Sequence, residues 1–358
     1  VSEGLPKKIP AQLVGGARKV VNLYHPRTLR EKGALWAAGL LTTTYVIVNL
    51  LLSTWWSLEP DSFEVRAHAA DTASREGQQV VVGYTTTATL MRVAATLLDK
   101  AGGYLSNDVA PPGVFLDNMP NWEFGVLVQV RDLARSLRND MSRSQSQSVE
   151  DADLAFAEPQ FNVHNDSWMF PATETEYRKG IDGLGRYLNR LAQRDRPDTQ
   201  FYARADNLRD WLAITEKRLG SLSQRLSASV GQVRVNTDLA GDTAAAQSTA
   251  MPDEVIVKTP WVDIDDVFWE ARGTTWALIH FLHAIEIDFS EVLNKKAASP
   301  SLRQIIRELE ATQSTVWSPM VLNGGGFGIV TNYSLIMANY ISRANAAIID
   351  LRSLLQQG

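Results

Sequence analysis

His280, His283 and Glu286 are the residues whose types and spacing come nearest to a metal site. Neutral imidazoles joined by a carboxylate suit zinc or iron. On a helix, however, positions i and i+6 diverge by about 240°, so Glu286 is poorly placed to share one ion with His280. No His-Glu-x-x-His pattern accompanies them. The competing reading packs both rings beside Trp276 and Phe281, with their polar tips hydrogen-bonded. Asp263, Asp265 and Asp266 (WVDIDDVFWE) form a second candidate, an acidic cluster for a cation or a general acid. They also open a helix after Thr259-Pro260, where carboxylates satisfy free N–H groups and favour the helix dipole. Capping is therefore expected to be their work.

Other motifs carry less chemistry. Gly324-Gly325-Gly326-Phe327-Gly328 lacks the Lys-Ser/Thr of a phosphate loop and reads as a tight connection. The serines of 142–148 have no visible partnership with His and Asp and no Gly-x-Ser-x-Gly elbow. With no cysteine in the chain, disulfides, thiolate metal sites and cysteine nucleophiles are excluded. No cofactor is called for. The loop 102–121, rich in Asn, Asp, Pro and Gly, is the place where recognition is expected, through Tyr104, Phe115 and Trp122. The alternative is that these aromatics pin the loop to the body.

These residues need elements to hold them, and the first element is unusual. Ala34–Trp56 (ALWAAGLLTTTYVIVNLLLSTWW) runs for 23 positions without a charge. As a helix it covers about 34 Å, enough to cross a hydrocarbon layer of ~30 Å. Trp36 sits near one end and Trp55 and Trp56 at the other, where indoles favour the polar–apolar boundary. Residues 1–56 carry a net charge of +5 and the remainder −10. Basic residues crowd the N-terminal flank, so the positive-inside rule puts the tail, 1–33, in the cytoplasm. The run is too long for the core of a cleaved signal peptide and reads as a retained anchor. Thr42, Tyr45 and Asn49 share one helix face, which favours helix–helix contact in lipid. The acidic body argues against nucleic acid.

Beyond the span, 57–79 reads as a polar neck and 80–358 as a helical extracytoplasmic domain, with a division into halves expected near 142–171. Val80–Tyr84 looks like a short strand, and Asn121 like the cap of a helix starting at Trp122. Further helices are expected over 88–100, 174–193, 198–229, 263–296, 301–317 and 333–355, with a low-complexity crossover at 231–257. Leu212, Leu219 and Leu226 recur seven apart, a heptad-like stripe that could pack within or between subunits. The fold class is mainly α: one transmembrane helix followed by a bundle with little or no β.

Several long strings carry a family resemblance: VGYTTTATL from Val82, GGYLSNDVAPPGVFLDNMPNWEFGVLVQVRD from Gly102, SRSQSQS from Ser142, RLGSLSQRLSASVG from Arg218 and SRANAAIIDLR from Ser342. Together they resemble the bacterial domain of unknown function 2333 family, from the span to the C-terminus. The resemblance implies a membrane-anchored protein of Gram-negative bacteria, facing the periplasm from the inner membrane, and supplies no catalytic residue. The leading expectation is a structural or interaction protein that self-associates and meets the lipid bilayer and other envelope proteins. The second is an envelope hydrolase using a metal or acidic site within 263–288.

Overall fold

The structure is a computed structural model that describes residues 22–144, 149–193, 199–235, 254–318 and 320–357. Most of the tail 1–33, the serines 145–148 and the middle of the expected crossover, 236–253, lie outside the described residues. The chain divides into two compact units, one ending at Trp55 and the other beginning at Trp56.

The first unit holds helices α1 (Pro26–Lys32) and α2 (Ala34–Trp56). No residue of α2 is buried, and it is the one described helix long and apolar enough to cross a membrane. Thr44 and Thr54 return their hydroxyls to the carbonyls of Leu40 and Leu50, 2.8 and 2.9 Å away. Such internal bonds let polar side chains sit on an apolar helix at low cost.

The second unit is the helical bundle that the apolar periodicity calls for. Its helices are α3 (Val65–Glu76), α4 (Tyr84–Asp99), α5 (Asn118–Ser136), α6 (Ala152–Phe161), α7 (Thr173–Leu191), α8 (Ala205–Ser227), α9 (Ile264–Asp288), α10 (Ser290–Lys295), α11 (Ser299–Ala311) and α12 (Tyr333–Gln356). One hydrophobic cluster runs through nearly all of them, from Leu90 on α4 to Leu355 on α12.

Its tightest joint is the crossing of α5 and α9. A Cβ added at Gly125 would lie 2.1 Å from the carbonyl oxygen of Glu270, and one at Gly273 would lie 2.0 Å from that of Trp122. The two backbones therefore touch, and Thr274 seals the contact by donating to the carbonyl of Gly125 at 3.3 Å. Helices approach this closely only where a side chain is missing. Trp122 and Trp276 flank the joint with their rings 5.2 Å apart.

The leucine stripe faces inward. Leu212, Leu219 and Leu226 are buried, and α8 packs along α12. Glu216 pairs with Arg352 and Ser223 bonds Ser342, so the two helices run antiparallel. The heptads serve packing within the subunit.

Several local expectations are corrected. Residues 80–84 form no strand, because Gly83 turns the chain into α4 and Tyr84 is drawn into the core as its first residue. The neck is half helix. Val65, Ala69 and Ala73 bury one side of α3, a stripe whose two alanines carry too little apolar surface to register as periodicity. Helix α6 lies within 142–171, where a division into halves is expected. It is capped by Asp151 and held against α7, where Gly180 faces Phe161 and Gly183 faces Ala157. Asp117, not Asn121, caps α5. The crossover opens and closes with an antiparallel pair, Gln232–Val235 against Glu254–Val257. The long helix 263–296 breaks at Phe289, which is fully buried.

Substituting Gly273→Ala forces a methyl into a backbone carbonyl, and overpacking of this kind costs about 1–3 kcal/mol or more. Thermal unfolding of the detergent-solubilised chain should show a clear drop in midpoint for this variant. Gly39→Ala, which meets nothing within 4 Å, should leave the midpoint in place. Equal midpoints for Gly273→Ala and the wild type would remove the crossing from its central position.

Candidate functional site

Two clusters of polar side chains inside the bundle adjoin the α5–α9 joint. Arg272, immediately before Gly273, is buried and saturated. Its Nε and Nη2 donate to the two carboxylate oxygens of Glu59, each at 2.7 Å. Its Nη1 donates to the carbonyls of Thr312 and Ser314 at 3.0 and 2.9 Å. A guanidinium with a bidentate carboxylate and two further acceptors is a buried charge with its desolvation offset. Arg272 thus clips two separate segments to α9: the strap that follows Trp56, and the chain leaving α11.

The strap is gripped again by His280. Its Nδ1 lies 2.7 Å from the carbonyl of Trp276, and its Nε2 accepts the backbone N–H of Phe63 at 3.1 Å. Donor at Nδ1 and acceptor at Nε2 is the neutral tautomer. The Phe63 ring stacks on the imidazole at 4.2 Å. Burial pushes the His280 pKa down to about 4, against the pull of the Trp276 hydrogen bond.

Both nitrogens of His280 are thus occupied. His283, on the same helix, is partly exposed and faces Glu286 at 4.0 Å and Glu310 at 3.7 Å. Glu286 itself receives Arg303 at 2.6 Å. These three residues do not converge on one point, and among the described residues no group of three or more His, Asp or Glu side chains is placed to hold a metal ion.

The second polar centre is Glu123, two residues before Gly125. It is wholly buried and receives Lys100 Nζ at 2.7 Å, with the N–H groups of Leu105 and Ser106 at 2.8 and 2.9 Å and the Ser106 hydroxyl at 2.5 Å. Burial pushes its carboxyl up, while Lys100 and these donors pull it back. Glu123 thereby ties the start of the loop 102–121 to α5. Asn107 ties it again, donating to the Ser167 carbonyl and to Glu174, both at 2.9 Å. Tyr104 and Trp122 are buried against Tyr177 and Trp276 and act as pins. The loop's outward aromatic is Phe115, 75% exposed.

The acidic cluster splits by role. Asp263 makes no side-chain cap bond, although Asp265 and Asp266 do lie in the first turn of α9. Asp266 accepts from Asn121 at 2.6 Å and is raised to about 6, first by burial and then by Asp265, Asp117, Asp263 and Glu270 around it. Asp288, at the other end of α9, accepts the N–H and hydroxyl of Thr86, both at 2.7 Å, and so caps the first turn of α4. Burial raises it to about 6 as well. On α2, Thr42 and Tyr45 are exposed, and Asn49 donates to the Tyr45 carbonyl at 2.8 Å while its covered Oδ1 has no donor.

Arg272, Glu123 and Lys100 escape a reading of the sequence, and nothing in it pairs Glu59 or Asp288 with their partners, since no motif spaces them. The one available signal is a lone arginine amid the apolar run of α9, where a charge must have a partner.

The architecture defines a class: a helical body of one compact unit, preceded by a single apolar helix of membrane-spanning length. The chain belongs to the bacterial domain of unknown function 2333 family, described as an uncharacterized protein conserved in bacteria, whose sequence profile matches residues 29–358. No curated protein and no solved structure matches it.

Glu123→Gln strands the Lys100 ammonium in the core, and breaking a buried pair on one side costs about 3–5 kcal/mol. The double variant Glu123→Gln with Lys100→Met should recover much of the lost thermal midpoint; no recovery would mean that the two charges are independent. A pH series tests the other groups. Asp288 has its folded pKa raised, so its stabilising contribution is full below about 4 and is lost as pH rises through about 6. His280 has its folded pKa lowered, so its contribution is full above 6.5 and is lost as pH falls towards about 4. Between pH 6.5 and 4.5 the midpoint of Asp288→Asn should therefore fall more steeply than that of the wild type. That of His280→Asn should fall less steeply. The slopes are the readout, whatever the absolute midpoints.

Proposed function

We propose that the chain is a membrane-anchored protein of the bacterial envelope with a structural or interaction role, and that it self-associates. In this reading residues 1–33 lie in the cytoplasm, Ala34–Trp56 crosses the inner membrane, and the body stands in the periplasm. The observation that carries the reading is the charge-free, wholly unburied helix Ala34–Trp56 with basic residues before it and Glu59, Asp61 and Glu64 after it. A folded body whose buried charges are spent on holding its own segments fits an attached scaffold.

Self-association draws its support from the span. The leucine stripe is used up within the subunit, whereas Asn49 Oδ1 lacks a donor on a helix that would sit in lipid. Once the covered amide turns outward, a second copy of the helix can supply that donor, and such bonds contribute about 1–2 kcal/mol in model helices. The hydrolase reading has less behind it, because His280 is occupied and His283 and Glu286 each face other partners.

Two measurements test the reading. Protease added to intact spheroplasts should digest the C-terminal body; protection of the body, with a periplasmic control cleaved, would overturn the topology. In a membrane reporter of helix association, Asn49→Leu should lower the signal several-fold, and an unchanged signal would leave self-association without support.

A further inference from the structure

We propose that the loop 320–332, together with Trp317, is a second membrane contact: an apolar foot that inserts into the lipid interface beside the point where the chain leaves the bilayer. The inference rests on the anchored reading above and adds a lipid-binding surface on the body.

The first observation is composition. From Ala311 to Ser342 the chain runs 32 residues without Asp, Glu, Lys, Arg or His, in a protein that is 21% charged. Within that stretch Trp317, Met320, Phe327, Ile329 and Val330 are exposed, Phe327 and Ile329 completely so. A soluble surface rarely presents such a group without cause. Other exposed aromatics keep charged neighbours: Phe170 has Asp166 and Glu174 nearby in sequence, and Trp261 has Lys258 and Asp263.

The second observation is the root of the loop. Val316, Val321 and Tyr333 pack against the core. Above them the chain closes on itself: the Tyr333 N–H donates to the Leu322 carbonyl at 2.8 Å, the Gly324 N–H to Thr331 at 3.2 Å, and Asn332 Nδ2 to Gly324 at 2.7 Å. The apolar tip is presented by a built turn.

The third observation chooses the occupant. Arg272 holds the carbonyls of Thr312 and Ser314 with the same guanidinium that grips Glu59. Glu59 is three residues past Trp56, the last residue of the apolar helix, so at most about 11 Å of chain separates them. One side chain therefore fastens the base of the exposed loop to the segment emerging from the span. Lipid is the apolar phase guaranteed to be present there. Tryptophan and phenylalanine favour that boundary, and interfacial segments bury their apolar side by about 5–10 Å.

The absence of cysteine makes the test clean. Single-cysteine variants Phe327→Cys, Ile329→Cys, Leu51→Cys and Lys179→Cys of the full chain are spin-labelled and reconstituted into vesicles of phosphatidylethanolamine and phosphatidylglycerol. Accessibility to oxygen and to a water-soluble nickel chelate is then measured by power saturation. The expected result is an oxygen-to-nickel ratio at 327 and 329 several-fold above that at 179, and shifted towards that at 51. Ratios at 327 and 329 equal to that at 179, with 51 still in lipid, would overturn the foot and leave the anchor standing. A water-accessible label at 51 would overturn the anchor and the foot together. Shielding of 327 and 329 from both reagents, with spin–spin broadening between copies, would assign the loop to a second copy of the chain and overturn the lipid contact.

Discussion

Two helices touching backbone to backbone set the terms for this body. Gly125 on α5 and Gly273 on α9 each face a carbonyl of the other helix, so the crossing has no side chain to absorb an error in position. Everything mounted on those helices inherits that fixed geometry. Glu123 lies two residues from one glycine and Arg272 one residue from the other. The two buried charges are thus carried on the least adjustable part of the fold, where their partners can be placed to within hydrogen-bonding distance.

Neither charge is left free for chemistry. Glu123 spends its oxygens on Lys100, two backbone N–H groups and a hydroxyl, and Arg272 spends its nitrogens on Glu59 and two carbonyls. The same holds for His280, whose ring bridges the Trp276 carbonyl and the Phe63 amide. In each case a polar group on a core helix reaches out to a segment with little apolar surface of its own. The strap after Trp56 and the loop 102–121 bury a few side chains, Phe63, Tyr104 and Leu105 among them, and directional bonds to a buried ion fix their backbones beside that contact. Buried charge used in this way gives position at a desolvation cost.

Much of the architecture was legible in the residues. The charge-free run of Ala34–Trp56 needs only length and composition to be recognised, and the 3.6-residue rhythm of α4, α5, α8, α9 and α12 marks them as helices with apolar faces. Legibility failed where the stripe was built of small residues or depended on a distant partner. Helix α3 buries two alanines and one valine, and α6 is held by the glycines of α7, so neither displays a strong apolar period. The β-branched run Val80–Val82 looked like a strand, but a strand needs a neighbour and none is offered among the described residues. Tyr104 and Trp122 were visible as large aromatics in and beside a long loop. Whether they faced outward was a matter of what lay beneath them.

The sequence alone determined the period of each helix, the length of the apolar span and the charge on either side of it, because these are properties of neighbours in the chain. Tertiary structure decided which polar residues became partners: Glu59 with Arg272 across 213 positions, Phe63 with His280 across 217, Thr86 with Asp288 across 202. It also decided that the leucine stripe of α8 faces α12 and not another subunit. Pairings over such separations follow from how closely the helices can approach, and that is set where Gly125 and Gly273 let two backbones meet.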